Sequence, residues 1–559
     1  MAPTSMSITD FMTSSKSLAR FASILVAVAA TVLGFGSCVK VNEELGSDYL
    51  ATNLQYDVYT TSFPLDDIVM DVPDSLSSYS LYRFTIGAIR DETFGLTTRS
   101  AAFTLVPVLD TLDFGTEGTQ EFHSFHFAAV FDSVSCATAD QKFIIQNVNV
   151  YELQDSIQYS QVYPELKIGT TRITDGIPVY NGSDTLSFNF SQEFGEKYMT
   201  VTQEELDTLV EYHKRFPGIY ITMDEPAGYG GRINMFKVPI DVQYNSSYYY
   251  SSVCGSIATL SFSAEYDDRG VVDTSFMYYL GPLEKYDFDD VTYTSVSDYP
   301  QVAYNIATHE SEDLIGDATD VMYLEGGRGI KPVVKAASLR EKIVAEIMDK
   351  MGDDGDPSLA IISKATITMP FDFPDDYTVV DYQFPSYMSP TCRIVTDTSI
   401  TFASITDVSV DDEDQGDLNR SLCNYAPDVT HHAQQLLLLD EDEEDISNYD
   451  IWFLPMADEE VEDSSTSSSS TSDLSDYYQY LMYSSYYNSM YGGYSSGSDY
   501  YSNYYNYYLY YSLYSSLSTS TTTTEAMIDF HRYYCLPLHG PTHEDGPTFT
   551  ITYAIPKED

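Results

Sequence analysis

Phe122–Asp132 reads FHSFHFAAVFD, and the alternation within it sets the class of the fold. Successive side chains on a strand point to opposite faces, so Phe125 and Phe127 share one face with His123 while His126 lies on the other. Placed that way, His123 and His126 do not form a chelating pair. The same period of two, with turn residues between, marks Gln55–Phe63, Tyr82–Arg90, Ser100–Val108 and Phe143–Glu152 as strands.

Further on, strands are expected at Gly218–Met223, Arg232–Asp241, Ala258–Tyr266, Lys364–Phe373, Cys392–Thr396, Asn448–Met456, Glu525–Pro537 and Thr548–Ile555. Two segments carry helical signals instead. In Thr202–Phe216, Thr202 and Glu205 make a capping box, Leu206, Leu209 and Val210 share a face, and Pro217-Gly218 stops the helix. In Ser338–Met351, Ser338 and Glu341 repeat the box, Leu339, Ile343 and Ile347 line a face, and Gly352 follows the end. Regular strands with few helices imply a mainly β fold, a β-sandwich-like body with two short packed helices.

Between the last strands lies a Ser/Thr/Tyr-rich tract, residues 464–524. From Tyr477 to Tyr514 it holds 17 tyrosines and a single charge, Asp499. Its flanks read as strands able to pair without it, which makes it an inserted loop. Tyr with Ser and Gly is the composition of binding loops, and equally of low-complexity chain with β-aggregation tendency. The expected organisation is 1–37 leader, 38–54 acidic tether, 55–200 an N-terminal β-sandwich-like domain, and 201–463 with 525–559 a second β-rich domain around the insertion.

The leader is Phe21–Cys38, FASILVAVAATVLGFGSC, with Lys16 and Arg20 as its positive flank. Its apolar core, Phe21 to Phe35, is shorter than the ~20 residues a spanning helix needs. Gly36-Ser37 then supplies a small-residue cleavage site, and Cys38 directly after it makes the pattern a lipoprotein signal. The Cys38 thiol would accept the diacylglyceryl group, and at ~0.8 kcal/mol per buried methylene a two- or three-chain anchor is permanent. The membrane partner is therefore reached through lipid on Cys38. An ordinary secreted protein is the alternative.

A formal charge of −58 over 559 residues argues against nucleic acid and against anionic head groups as partners. Five cysteines remain besides Cys38, namely Cys136, Cys254, Cys392, Cys423 and Cys535. They are widely spaced and odd in number, so no disulfide framework is expected and buried thiols are the simplest state. His531, Cys535, His539 and His543 recur every fourth residue. Pro537, Gly540 and Pro541 forbid the single helix that would align them, and no metal site is assigned. Asp411–Asp414 and Asp440–Asp445 are acidic runs, and Asp353, Asp354 and Asp356 lack the spacing of a calcium loop. His431-His432 is expected on a solvated loop. Gly230-Gly231-Arg232 and Gly326-Gly327-Arg328 lack the Lys-Ser/Thr of a phosphate loop and are expected as tight turns. No nucleophile-and-base signature appears, so no catalytic residue and no cofactor is assigned.

Several long stretches have a common look: LGSDYLATNLQYDVYTTSFPLDDI, DSLSSYSLYRFTIGAIRDETFGLTTRSAAFTLVP, GIPVYNGSDTLSFNF, FPGIYITMDEPAGYGGRINMF and YLEGGRGIKPVVKAASL. Together they resemble the Bacteroidota lipoproteins grouped as domain-of-unknown-function family 4270. The resemblance runs from about Leu45 to the end, outside the Tyr-rich insertion. It implies a β-rich lipoprotein of the outer membrane or cell surface and carries over no catalytic residue. The expected function is non-catalytic binding or scaffolding of another envelope component, either an outer-membrane protein or a surface glycan. The alternatives are a glycoside hydrolase, which requires two carboxylates beside aromatic platforms, and a structural coat protein.

Overall fold

The computed structural model describes residues 55–73, 79–80, 82–109, 111–157, 166–238, 241–245, 250–254, 256–267, 270–281, 301–352, 355–395, 400–406, 416–439, 445–463 and 521–557. Phe21–Cys38, the tether to residue 54, Asp353-Asp354, Asp411–Asp414, residues 440–444 and residues 464–520 of the insertion lie outside them. The chain divides into two units. The smaller comprises residues 1–58 and 554–559; in it the Lys557 N–H donates to the Gln55 carbonyl at 2.9 Å, and Lys557 Nζ lies 3.4 Å from Asp57. The larger, Tyr59–Tyr553, holds everything that follows.

The fold is mainly β, as the alternation implies. Six strands form its centre: β1 Arg83–Asp91, β2 Gly95–Pro107, β3 Glu121–Cys136, β4 Gly230–Lys237, β5 Ile257–Tyr266 and β6 Gly270–Gly281. All pair antiparallel in the order β6-β5-β3-β4-β1-β2, and β2 also pairs with β6, so the circuit closes. Strands from both sides of residue 200 alternate in this circuit, so the division expected there falls within one sheet.

Enclosed by it is an aromatic core containing Phe84, Phe103, Phe125, Phe127, Phe236 and Tyr278, each buried. At roughly 1.5–3 kcal/mol for each large apolar side chain removed from water, this cluster is a large stabilising element. Phe125, Phe127 and Ala129 face inward as alternation requires. His123 does not share their face. A β-bulge sets Ser261 opposite Ser124 but Phe262 opposite Phe122, so His123 turns out to solvent. His126 is exposed on the other face, its Nδ1 2.9 Å from the Asn189 side-chain oxygen.

A second sheet contains β7 Lys331–Val334, β8 Tyr387–Val395, β9 Ile451–Asp463 and β10 Thr521–Ile528, with Ile68–Asp71, Gly316–Asp317 and Ile400–Ser404. Strands β9 and β10 pair from Met456↔Ile528 to Asp463↔Thr521. The Tyr-rich insertion therefore leaves and re-enters at the open end of one hairpin, as its flanks suggest.

The expected helix over Thr202–Phe216 is two helices, α1 Gln203–Leu206 and α2 Leu209–Arg215. Its capping box is present: Thr202 Oγ1 accepts from the Glu205 N–H, and Glu205 accepts from the Thr202 N–H. Thr208 interrupts with extended backbone at φ −136° and ψ 93°, and Arg215 reaches back to Glu205 at 3.0 Å. Helix α3, Ala336–Met351, buries Leu339, Ile343 and Ile347 as expected. It starts two residues before Ser338, however, because the distant Asp450 accepts from the Ala336 N–H at 2.9 Å and supplies the cap. His431-His432 is not on a solvated loop but in helix α4, Thr430–Leu438. Asp428 starts it, accepting from the Thr430 N–H at 3.0 Å, and His432 is buried with Nε2 2.9 Å from the Tyr449 carbonyl. Among the described residues no helix is long and apolar enough to cross a membrane.

Candidate functional site

The hairpin β1–β2 turns through Asp91-Glu92-Thr93-Phe94-Gly95. Asp91 Oδ1 accepts from the N–H groups of Thr93 at 2.6 Å and Phe94 at 2.7 Å, an Asx turn, and Gly95 takes φ +71°. Its other oxygen, Oδ2, accepts from the Tyr533 hydroxyl. Both Asp91 oxygens are thereby occupied, while Glu92 and Thr93 stand exposed at the tip.

Tyr533 is delivered by a second carboxylate, this one buried. After β10, Asp529 accepts from the backbone N–H of His531 at 2.8 Å and of Arg532 at 3.1 Å, from Arg532 Nη1 at 2.9 Å and from the Tyr534 hydroxyl at 2.6 Å. Burial alone would raise the Asp529 carboxyl, but the Arg532 charge and these donors hold it below the usual range. The Tyr533 N–H then donates to Ser135 Oγ at the end of β3, 3.0 Å away. Cys535 follows in β11, Cys535–His539, which pairs with Val321–Glu325.

Together Asp91, Glu92, Thr93, Tyr229, Gln383, Tyr533 and Cys535 line a cavity of about 370 Å³, within the usual size range of ligand pockets. Among the described residues no Lys, Arg or His lines it. Tyr229 is 59% exposed, and its phenol is raised by burial and by the charges of Asp91 and Glu92. The Cys535 thiol is pushed up to about 12 by burial and by Asp91, so it stays protonated and is a poor nucleophile. Gln383 Nε2 donates to the Ala137 carbonyl at 2.9 Å, which orients the amide.

Directly across the ladder from Cys535 is Glu325, fully buried. It accepts from Thr97 Oγ1 at 2.9 Å and Ser311 Oγ at 2.6 Å, with His309 Nδ1 at 2.6 Å. Burial opposes ionisation, yet these donors and the neighbouring cations bring Glu325 to about 2. Lys331 donates to the carbonyls of Glu325, Gly327 at 3.0 Å and Gly329 at 2.7 Å, and burial pushes its ammonium down to about 7. Gly326-Gly327-Arg328 is accordingly a turn, wrapped around Lys331. Gly230-Gly231-Arg232 is not a turn: it opens β4, where Gly231 has φ +109° and a Cβ would strike the Ala88 carbonyl. Arg232 is buried, with Nε 2.7 Å from Gln146 Oε1 and Nη2 3.2 Å from the Tyr180 carbonyl.

The four residues at four-residue spacing separate. His531 is half-buried near Ser80 at 3.4 Å and pushed down to about 3 by desolvation and by Arg83; Cys535 lines the cavity; His539 and His543 stack with ring centroids 3.8 Å apart. Among the described residues no group of three His, Cys, Asp or Glu could hold a metal ion. One Cys–His contact, Cys392 Sγ to His432 Nδ1 at 3.7 Å, is buried on both sides, with the thiol raised and the imidazole lowered to about 4 by burial. Neither group is charged or reachable, so the pair is core. Cys136, Cys392, Cys423 and Cys535 are free thiols.

The sequence reading missed Asp91, Tyr229 and Tyr533. For Asp91 the available signal was D-x-T-x-G between two strands, the pattern of an Asx-closed hairpin; Tyr533 carries none, since its partner lies more than 400 positions away. No family model, no curated protein and no solved structure matches the chain.

Proposed function

We propose that this chain is a lipid-anchored protein of the outer membrane or cell surface, tethered through acylated Cys38, whose β-rich body binds another envelope component without transforming it. The family 4270 resemblance belongs to the same proposal. The tether rests on the Phe21–Cys38 pattern. The binding part rests on one observation: the cavity offers groups that hold a ligand, while those that could attack one are spent. Asp91 has donors on both oxygens and Cys535 is protonated. A glycosidase acid or nucleophile needs a carboxylate free to meet the substrate, and among the described lining residues only Glu92 offers one, so glycan binding is favoured over hydrolysis.

Labelled palmitate fed to cells making the chain tests the tether. Wild type should take up label and sediment with outer membrane, and Cys38→Ala should lose both. An unlabelled mature chain in the medium overturns the proposal. Recovery with a partner from mild detergent, identified by mass spectrometry, tests the binding part; repeated recovery alone counts against a protein partner.

A further inference from the structure

We infer that the cavity between the β1–β2 turn and Tyr533 is a site for an uncharged sugar residue. This rests on the binding reading above and specifies the ligand. Three features select it.

The wall mixes donors and acceptors, as a polyol requires. Thr93 and Tyr229 bring hydroxyls and Glu92 a carboxylate, and Gln383 brings an amide whose Nε2 is held by the Ala137 carbonyl. The Tyr229 ring, 59% exposed at the rim, offers an apolar face on which the C–H face of a pyranose packs. The electrostatics exclude anionic ligands. With no cation among the described lining residues and two carboxylates present, uronate, sulfate or phosphate groups are repelled. A bare metal ion finds too few ligands: both Asp91 oxygens are engaged by Thr93, Phe94 and Tyr533, and among the described residues no group of three His, Cys, Asp or Glu could hold a metal ion. Asp91 and Tyr533 therefore act as the fixed floor, and Glu92, Thr93, Tyr229 and Gln383 make the contacts.

The test uses the full lipidated chain, solubilised in mild detergent, on beads carrying mannan, xyloglucan or starch, with polygalacturonate and chitosan beads as anionic and cationic controls. Wild type should be retained by at least one neutral polysaccharide and released by its free oligosaccharide. Tyr229→Ala and Glu92→Gln, both at exposed positions, should each weaken retention about tenfold while leaving the unfolding midpoint unchanged. Retention by none of the neutral polysaccharides, retention unchanged in both variants, or retention confined to chitosan or polygalacturonate overturns the sugar assignment. A palmitate-labelled chain that holds a protein partner but no glycan overturns this assignment alone; an unlabelled, released chain overturns the reading beneath it.

Discussion

Replacing residues 464–520 by Asn-Gly should leave the body folded and make it more stable. Asp463 and Thr521 already sit opposite one another at the end of the β9–β10 ladder. A two-residue turn is the connection such antiparallel neighbours accept most readily, and Asn-Gly supplies the backbone twist it needs. The magnitude comes from loop closure. Shortening the connection from roughly 60 residues to two lowers the entropic cost by about (3/2)RT ln 30, or ~3 kcal/mol. Urea unfolding followed by far-UV circular dichroism reads this as a higher midpoint at unchanged slope, because the surface exposed by the body stays the same. The assumption under test is that the insertion contributes closure entropy and no core. A shortened chain that is insoluble, or less stable than wild type, shows that Tyr-rich segments complete the second sheet and refutes the reasoning.

Three further outcomes are expected. His213 is buried, pushed down to about 4, and among the described residues neither ring nitrogen has a hydrogen-bond partner; the unfolded chain, at 6.5, takes up the proton first, so its stability contribution is complete above pH 6.5 and is lost as pH falls toward 4, at about 1.4 kcal/mol per pH unit. His213→Leu should shallow the acid limb of urea midpoint against pH between 6 and 4.5 and add about 1–3 kcal/mol at neutral pH; an unchanged limb refutes this. Glu325→Gln leaves Lys331 buried without its counter-charge and should cost about 3–5 kcal/mol, and a loss under 1 kcal/mol in the same titration contradicts it. Asp450→Ala removes both the cap on the Ala336 N–H and the 2.9 Å partner of Lys335, for an expected loss of about 0.5–2 kcal/mol, with earlier amide exchange in the first turn of α3 as the local readout; full protection there would show that the cap is dispensable.

Local patterns were legible wherever the physics is local. The alternation in Phe122–Asp132 anticipates the buried Phe125 and Phe127, and the Thr202–Glu205 box is where the residue types place it. Each failure occurs where a distant group overrides a neighbour. The bulge opposite Phe262 turns His123 outward, and Asp450 starts α3 ahead of the Ser338 box. Helix α4 takes His432 out of solvent, because the Tyr449 carbonyl and the surrounding core satisfy it. The Gly-Gly-Arg repeats are alike in letters and different in role, since one lies against the Ala88 carbonyl and the other encircles Lys331.

By itself the sequence determined the β-rich class, the hairpin that carries the Tyr-rich insertion and the acidic character of the surface, and the proposed Cys38 tether rests on it alone. Those properties depend on periodicity, composition and contiguous residues. Only the tertiary structure decided that Asp91, Tyr229, Gln383 and Tyr533 share one cavity and that Glu325, His309 and Lys331 form a buried cluster beside it. A pocket is a coincidence of side chains from separate strands, and its members are chosen by sheet order and register, which no periodicity along the chain encodes.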